Sequence, residues 1–263
     1  MSIKVSVVTV VLNNRAGFVK TAGSVAGQDY PFVEWIVIDG GSTDDTTKEI
    51  AHYTQKITWW TSEPDRGLYD AMNKGLHKAT GEWVVFLNAG DAFAGTDTLS
   101  GVFGNDLTSY GVVYGDVLAG YSEAQVLKKA GKPAGLIKGM VICHQAVFVR
   151  THLIQESGFD LKYPIGADFN MLFGLFESGC AFRQLDFPVA VIDVSGVSNR
   201  KMVQSAREHF SIVQKFRKMN FSEKMHHHAF ILWLNLVTVG YKILPVKIMH
   251  RISNFASKYI LGE

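Results

Sequence analysis

Through the first hundred residues, short and nearly uninterrupted apolar runs alternate with stretches whose apolar residues recur every three or four positions. Val5–Val11, Val33–Asp39, Ile57–Ser62 and Trp83–Leu87 are runs of the first kind. Runs this short and rich in β-branched residues predict parallel strands buried on both faces of a sheet. Between them, helices are predicted at Phe18–Ala26, Thr46–Tyr53 and Leu68–Lys78. Thr46 and Glu49 have the spacing of a capping box, which would start the second helix. On the third, Leu68, Ala71, Met72, Leu76 and Ala79 make one apolar stripe, and Asp70, Asn73 and His77 share another face. Repeated strand–helix–strand units predict an α/β domain that binds ligands at the carboxyl ends of its strands.

Beyond Thr98 the pattern is mixed. Strands are predicted near Val112–Asp116, Ala146–Val149 and Val189–Asp193, with a helix over Ala167–Ser178. The stretch "KKAGKPAGLIKG", Lys128–Gly139, reads as a mobile loop by its composition. After Ser195 the chain turns helical and basic. The domain plan is thus an α/β unit over 1–200, with a regularly alternating half at 1–97 and a mixed half at 98–200, followed by a helical tail at 201–263.

Each of the first four strands stops at polar groups. Thr9 lies late in the first, Asp39 ends the second before two glycines, "TSEPDRG" follows the third and "NAGD" the fourth. Asp, Asn, Gly and Ser are ordinary turn residues, so any one strand end is explained by turn chemistry. Four at one sheet edge are what a ligand site needs. Several familiar sites are missing. The turn "NNRAGF" after the first strand is no G-x-G-x-x-G, and neither a G-x-x-x-x-G-K-S/T nor a G-x-S-x-G occurs. Three consecutive histidines, His226–His228, point about 100° apart on a helix and cannot chelate one ion together. They read as a wetted helix end.

The formal net charge of +2 hides an asymmetry: residues 197–263 carry 11 Lys/Arg and 3 Asp/Glu, leaving 15 basic and 21 acidic residues in 1–196. Only the tail seeks an anionic surface. Two cysteines, Cys143 and Cys180, are too few for a disulfide framework and suit a reducing cytosol. "MSIKVSVVTVVLNN" reads as a first strand and not as a signal peptide. The longest apolar run near the C-terminus, "AFILWLNLVTVGY", has 13 residues, short of the ~18 that span a bilayer. In the tail, Phe230, Leu234, Val237, Tyr241 and Leu244 follow helical spacing beside a narrow polar stripe, so the helix packs on protein or lies in a lipid interface. Its Lys/Arg flanks point to an anionic cytoplasmic leaflet. Nucleic acid is a poor fit, because the basic residues alternate with aliphatic stretches and offer no stacking platform.

Four segments together, "SVVTVVLNN", "WIVIDGGSTDDT", "SEPDRGLYDAMNKGLHKATGEWVVFLNAGD" and "HQAVFVR", resemble the family 2 glycosyltransferases over roughly residues 3–200. The nearest likeness is to bacterial members that build O-antigen, capsule or exopolysaccharide. That resemblance implies a GT-A fold: a mixed, mainly parallel sheet flanked by helices, here with a helical extension. It implies an inverting enzyme that moves a sugar from a nucleotide diphosphate, UDP above all, to a lipid-linked acceptor of the undecaprenyl diphosphate type. Such an enzyme would work in the cytoplasm, on the inner face of the membrane. By the same resemblance, Asp39 would accept the uracil N3–H with Thr9 nearby, Arg66 would face the phosphates, and Asp70, Asn73, His144 and Ser198 would line the donor. Asp91 would hold Mn²⁺ or Mg²⁺, and Asp168 would be the catalytic base.

Those roles make chemical sense. A divalent cation offsets the charge of a departing diphosphate, and a carboxylate on the acceptor side can deprotonate the attacking hydroxyl. The chain also departs from the family pattern. Asn88 and Gly90 stand where relatives carry acids before Asp91, and Ala167 stands where many carry Glu before the base. Asp168 could instead be an N-cap of the helix that follows, with Asp160 and Asp186 as weaker rivals for the base. A nucleotidyltransferase and a non-catalytic nucleotide-sugar or partner-binding module are the alternative functions.

Overall fold

In the computed structural model, which describes residues 3–121, 124–193 and 201–243, the predicted alternation is realised as one nine-stranded mixed sheet. Its first four strands are β1 (Val5–Val11), β2 (Val33–Asp39), β3 (Trp59–Ser62) and β4 (Trp83–Phe86). They pair in parallel in the order β3-β2-β1-β4. The helices between them are α1 (Arg15–Ala26), α2 (Thr46–His52) and α3 (Leu68–Lys78). The sheet then continues through β8 (Val147–Arg150), β6 (Val112–Tyr121), β9 (Phe182–Asp193) and β5 (Ala92–Phe93), with β7 (Ala124–Lys128) paired to β6. Two short helices, α4 (Thr98–Phe103) and α5 (Thr151–Ile154), and three longer ones, α6 (Ala167–Glu177), α7 (Met202–Phe216) and α8 (Phe221–Ile243), complete the described chain.

Alternation along the strands divides the core in two. Val8, Val10, Ile36, Ile38, Val84 and Phe86 face α3 and α6, packing on Met72, Leu76, Phe169 and Phe173. Val7, Trp35, Val37, Trp83 and Val85 face the other way, onto Phe18, Ala22, Ile50 and Leu99. Burial on both faces is why these strands read as continuous apolar runs. α3 lies so close to β1 that a side chain at Gly75 would overlap Val8 Cγ1.

Some sequence expectations are corrected. The capping box at Thr46 does not form: the N-cap is Asp45, Asp44 Oδ1 accepts the Thr46 N–H at 3.0 Å, and the Glu49 carboxylate turns to Arg15. α1 starts three residues before the expected Phe18, because the Asn14 side chain caps it by accepting the Gly17 N–H at 3.0 Å. The Lys128–Gly139 segment is built into the protein: Pro133–Ile137 form a 3₁₀ turn whose Leu136 is buried in the core. β6 and β9 run much longer than expected, and α4, β5 and β7 carried no periodicity of their own. Among the three histidines, His227 is no wetted helix end. It is buried, with Nε2 2.8 Å from the Ile137 carbonyl oxygen, and this contact docks α8 on the same turn.

At the amino edge of the sheet a buried carboxylate joins three segments. Glu34 on β2 receives Lys4 Nζ at 2.7 Å, Ser6 Oγ at 2.5 Å, and the Thr80 N–H and hydroxyl at 2.7 and 2.6 Å. Burial alone would raise its pKa, but the hydrogen bonds from Lys4, Ser6 and Thr80 hold it at about 2. The folded-state pKa lies below the unfolded one, so the stabilisation is complete above the unfolded value of 4.5 and is lost as pH falls toward 2. Glu34→Ala leaves the Ser6 and Thr80 donors unpaired and is expected to cost about 2–3 kcal/mol, or roughly 5–10 °C in Tm. Urea midpoints should differ most at neutral pH and converge through that acid window. A gap that does not narrow would refute the linkage.

Candidate functional site

The site is built where β1 and β4 part. β1 pairs with β2 on one side and β4 on the other, so the connections leave in opposite directions and open a crevice at the strands' carboxyl ends. The β1–β4 ladder runs on past β4: the N–H groups of Leu87 and Ala89 donate to the Val8 and Val10 carbonyls at 2.9 and 3.0 Å. The chain then turns sharply through Gly90, whose φ of +110° suits a residue without Cβ. α1 holds this turn. The Thr21 hydroxyl donates to the Asp91 carbonyl at 2.6 Å and accepts the Gly90 N–H at 3.0 Å; Lys20 Nζ reaches the Gly90 carbonyl at 2.7 Å, and Asn14 Nδ2 the Ala89 carbonyl at 3.2 Å.

Asp91 leaves this turn 6% exposed. Beside it, the buried Asn88 Oδ1 has no hydrogen-bond partner. It is a spare hard acceptor that a water of a hydrated divalent ion would satisfy. Among the described residues no three His, Cys, Asp or Glu side chains converge as a metal-binding group. Asp91 is the carboxylate this turn carries, and a cation held by it would take its other ligands from phosphate oxygens and water, which suits a hard ion such as Mg²⁺ or Mn²⁺.

Asp39 ends β2 with no exposed surface. Its Oδ2 accepts the Ser42 N–H at 2.9 Å and Ser62 Oγ at 2.5 Å, and its Oδ1 accepts Ser42 Oγ at 2.5 Å. Three of about four acceptor positions are used, which leaves one on Oδ1. Thr9 sits deeper, buried beneath that edge, its hydroxyl accepting from Trp35 Nε1 at 3.1 Å. The structure thus places Thr9 in the core and not in the crevice.

At the start of α3, Arg66 and Asp70 are paired. The guanidinium reaches Asp70 Oδ1 at 2.8 Å, and the Arg66 N–H donates to Oδ2 at 3.0 Å. The Arg66 hydrogen bond holds the Asp70 pKa below the ordinary value. Arg66 itself is 78% exposed, and its guanidinium lies on the largely buried Asp70. Asn73 is committed elsewhere: its Nδ2 donates to the Phe159 carbonyl at 2.9 Å and its Oδ1 accepts the Phe159 N–H at 2.7 Å, clamping α3 to the loop before α6.

Across the crevice, Asp168 lies in the first turn of α6 and is not its cap; Gly166 is. The Glu208 carboxylate of α7 accepts the Ile165 and Gly166 N–H groups at 3.0 and 2.8 Å, satisfying donors at that helix start. Asp168 Oδ1 accepts the Phe169 N–H at 2.8 Å and the Tyr69 hydroxyl at 2.9 Å, and Oδ2 lies 2.9 Å from His144 Nδ1. His144 Nε2 faces Asn88 Nδ2 at 3.5 Å. A chain of contacts therefore runs from α3 through α6 and His144 to the turn that carries Asp91. Burial would lower the His144 pKa, but the hydrogen bond and charge of Asp168, with the charge of Asp91, raise it above 6.5. Burial would raise that of Asp168, but the His144 hydrogen bond and charge, with the Tyr69 hydroxyl, lower it. Burial first, then the Asp168 charge, keeps Tyr69 a neutral donor by raising its pKa well above 10.

Of the expected site residues, Asp168, His144 and the Asn88–Asp91 turn come together, Asp39 lies along the same sheet edge, and Ser198 falls outside the described residues. Of the rival carboxylates, Asp160 pairs with Lys215 at 3.2 Å and Asp186 is exposed. Sequence reading missed Tyr69, Thr21 and Glu208. Tyr69 sits beside Asp70 inside the quoted "GLYDAMN" block, where its neighbour drew attention; Thr21 and Glu208 carry no local signal, because their partners lie 70 and about 42 residues away in the chain.

The sequence profile of Glycosyl transferase family 2 matches residues 6–155. An uncharacterized glycosyltransferase of Mycobacterium tuberculosis is 34% identical over 174 residues, covering 62% of this chain and 65% of that protein. A PGL/p-HBAD biosynthesis glycosyltransferase of Mycobacterium bovis is 32% identical over 179 residues, covering 66% and 70% of the two chains. Among solved structures, a mannosyltransferase from Pyrobaculum calidifontis in complex with GDP-Man and Mn²⁺ superposes with a TM-score of 0.68 at 18% identity, covering 98% of this chain and 80% of that one. S. aureus TarS residues 1–349 in complex with UDP give 0.67 at 17% identity, covering 93% and 76%. Those two likenesses establish the fold as the GT-A fold of such enzymes, and the profile match over more than half of its length establishes that the chain belongs to glycosyl transferase family 2.

Proposed function

We propose that this protein transfers a sugar from a nucleotide diphosphate, UDP in particular, to a lipid-linked glycan acceptor in the synthesis of bacterial surface polysaccharide, with inversion at the anomeric carbon. The observation that carries the reading is the meeting, at one crevice, of the Asn88–Asp91 turn with the buried Asp168–His144 pair. One side of the crevice offers a carboxylate for a diphosphate-bound cation; the other offers a proton acceptor. A binding module needs neither.

Asp39, with one acceptor position left on a carboxylate otherwise held by Ser42 and Ser62, is suited to a single N–H such as uracil N3–H. The Arg66 guanidinium is 78% exposed and spends Nε and Nη2 on Asp70, which leaves further N–H donors suited to phosphate oxygens. Asp91 would hold Mn²⁺ or Mg²⁺, and the cation, when bound, would neutralise the charge gathering on the departing diphosphate. Membrane contact is supported by α8. It buries His227, Leu234 and Val237 against the body, while Phe221, Met225, Leu232 and Leu236 stay exposed along its outer side. No helix among the described residues is long and apolar enough to cross a membrane, so the contact would be peripheral. The basic excess of residues 197–263 favours an anionic leaflet.

Two measurements test the site. Hydrolysis of UDP-sugars with and without Mn²⁺ should show Asp91→Ala losing at least about 10²-fold in metal-dependent turnover, the loss of roughly 3 kcal/mol of charge stabilisation. Undiminished metal-dependent turnover would remove Asp91 as a ligand. Titration calorimetry should show Asp39→Asn binding UDP about 10-fold or more weakly, since an acceptor of a charge-assisted hydrogen bond is lost. UDP bound equally well by the variant would place the base elsewhere.

A further inference from the structure

Four lysines between the end of β7 and the end of the 3₁₀ turn, Lys128, Lys129, Lys132 and Lys138, are exposed. The ion pairs formed among the described residues take up Lys4, Lys48, Lys74 and Lys215 and none of these four. Their backbone is nevertheless fixed. The Asp116 carboxylate accepts the Ala130 N–H at 2.8 Å, and Gln184 Nε2 donates to the Ala130 carbonyl at 3.0 Å. The Gly131 N–H donates to the Val141 carbonyl at 2.8 Å. Cations held by an anchored backbone, with no carboxylate to neutralise them, make a preorganised surface for an anion.

Sheet register places one end of this surface at the crevice. Val85 on β4 and Val113 on β6 both lie opposite Phe148 of β8. Both strands are antiparallel to β8, so they run the same way, and Val117 reaches about the level of Ala89 in the crevice turn. Past Tyr114, β7 replaces β8 as the partner of β6, and Lys128 lies opposite Val117. Opposed residues of an antiparallel pair share a face. Lys128 is therefore on the face of Val117, whose cluster Cys143 packs against. Burial raises the Cys143 pKa, the Lys128 charge opposes that rise, and the charges of Asp168 and Asp91 add to it. One thiol thus feels Lys128 and both crevice carboxylates. In the strand order, Lys128 stands on the side of β4 away from β1 and Asp39. The other end of the surface is at α8, where the Ile137 carbonyl holds His227, and burial and then the Lys138 charge lower the His226 pKa.

We propose that Lys128 binds the diphosphate of the lipid-linked acceptor, and that Lys129, Lys132 and Lys138 draw that group along the surface between α8 and the crevice. This rests on the reading of the protein as a transferase acting on such an acceptor. A diphosphate on a prenyl chain calls for a cation beside apolar surface, and β7 supplies both. Val126, on the same face as Lys128, is 67% exposed, and Leu127, on the other face, is 47% exposed. An ammonium is a compact charge with three rotatable donors, which suits a flexible phosphate chain. The surface joins the helix with the exposed apolar side to the crevice, the course a lipid-linked substrate must take. The donor's diphosphate has its own place, at the Asp91 turn beside β1.

The test uses the full chain saturated with UDP and Mn²⁺, titrated by calorimetry with geranyl diphosphate as the probe and geraniol as its uncharged counterpart. Wild type should bind geranyl diphosphate at least about 10-fold more tightly than geraniol, which forms no charge-assisted bond. Lys128→Gln should weaken the diphosphate about 10-fold and leave geraniol and UDP within about twofold of wild type. Lys128→Arg should keep most of the affinity, and the thermal midpoints of both variants should equal that of wild type. Joint replacement of Lys129, Lys132 and Lys138 by Gln should cost about threefold, a loss that fades near about 0.5 M salt as screening shortens the reach of these charges. A Lys128→Gln variant that binds geranyl diphosphate as wild type does would overturn the proposal. So would an equal loss of UDP affinity, which would give Lys128 to the donor. A loss seen only on vesicles of phosphatidylglycerol and phosphatidylcholine would overturn it as well, giving Lys128 to lipid headgroups. Wild type that binds UDP but not geranyl diphosphate would refute the acceptor site and spare the transferase reading. Wild type that binds no UDP would bring that reading down.

Discussion

Parallel pairing of β1 along both of its edges is the constraint from which the rest of the architecture follows. With β2 on one side and β4 on the other, the two connections must diverge, and the sheet edge between them cannot be closed by either. The open edge is where unpaired backbone and polar side chains can meet a ligand without breaking the core. The Gly90 turn, Asp91 and Asp39 lie along it, and His144 and Asp168 reach over from the antiparallel half. The opposite edge shows what the same sheet does with a carboxylate where no ligand is wanted. There Glu34 has its oxygens taken by Lys4, Ser6 and Thr80, and it serves as a rivet.

Buried acids are therefore of two kinds in this protein, and their donors separate them. Glu34 is saturated. Asp39 keeps an acceptor position, and Asp168 shares its charge with an imidazole that is itself reachable from solvent. Burying a carboxylate costs several kcal/mol unless hydrogen bonds replace its water. A carboxylate left one bond short, or bound to a titratable partner, is tolerated where a substrate completes the set. The unpartnered Asn88 Oδ1 in the same crevice belongs with them.

The parallel half of the fold was legible because its signals are local. β-Branched runs such as Val5–Val11 and an apolar stripe such as that of α3 declare themselves within one element, and the structure reproduces them nearly to the residue. Ends were less legible where a distant partner decides them. Glu49 has capping-box spacing, yet Arg15 takes its carboxylate; Lys128–Gly139 is loop-like in composition, yet Leu136 and the Ile137 carbonyl are used by the core and by α8. The site shows the same division. Asp39, Asp91 and Asp168 stand out by type and by strand-end or helix-start position. That Asn73 would spend its amide on Phe159, or Thr9 its hydroxyl on Trp35, follows only from packing.

The pair across the crevice also explains why α7 belongs to the working part of the chain, although it lies beyond the residues that the family profile covers. Asp168 is the second residue of α6, and a helix start is the part of a helix most prone to fray, because its first N–H groups have no partner within the helix. Glu208 supplies acceptors for two N–H groups at that start, and His209 packs against Phe169 at a tilt of 32°, with ring centres 4.1 Å apart. A carboxylate placed at a helix amino end is also favoured by the helix dipole. Both contacts fix the backbone that sets where Asp168 points, and Asp168 sets where His144 points. Orientation at the crevice is therefore inherited in part from α7. The placement of Asp168 and His144 across the crevice thus depends on the later helices as well as on the parallel half.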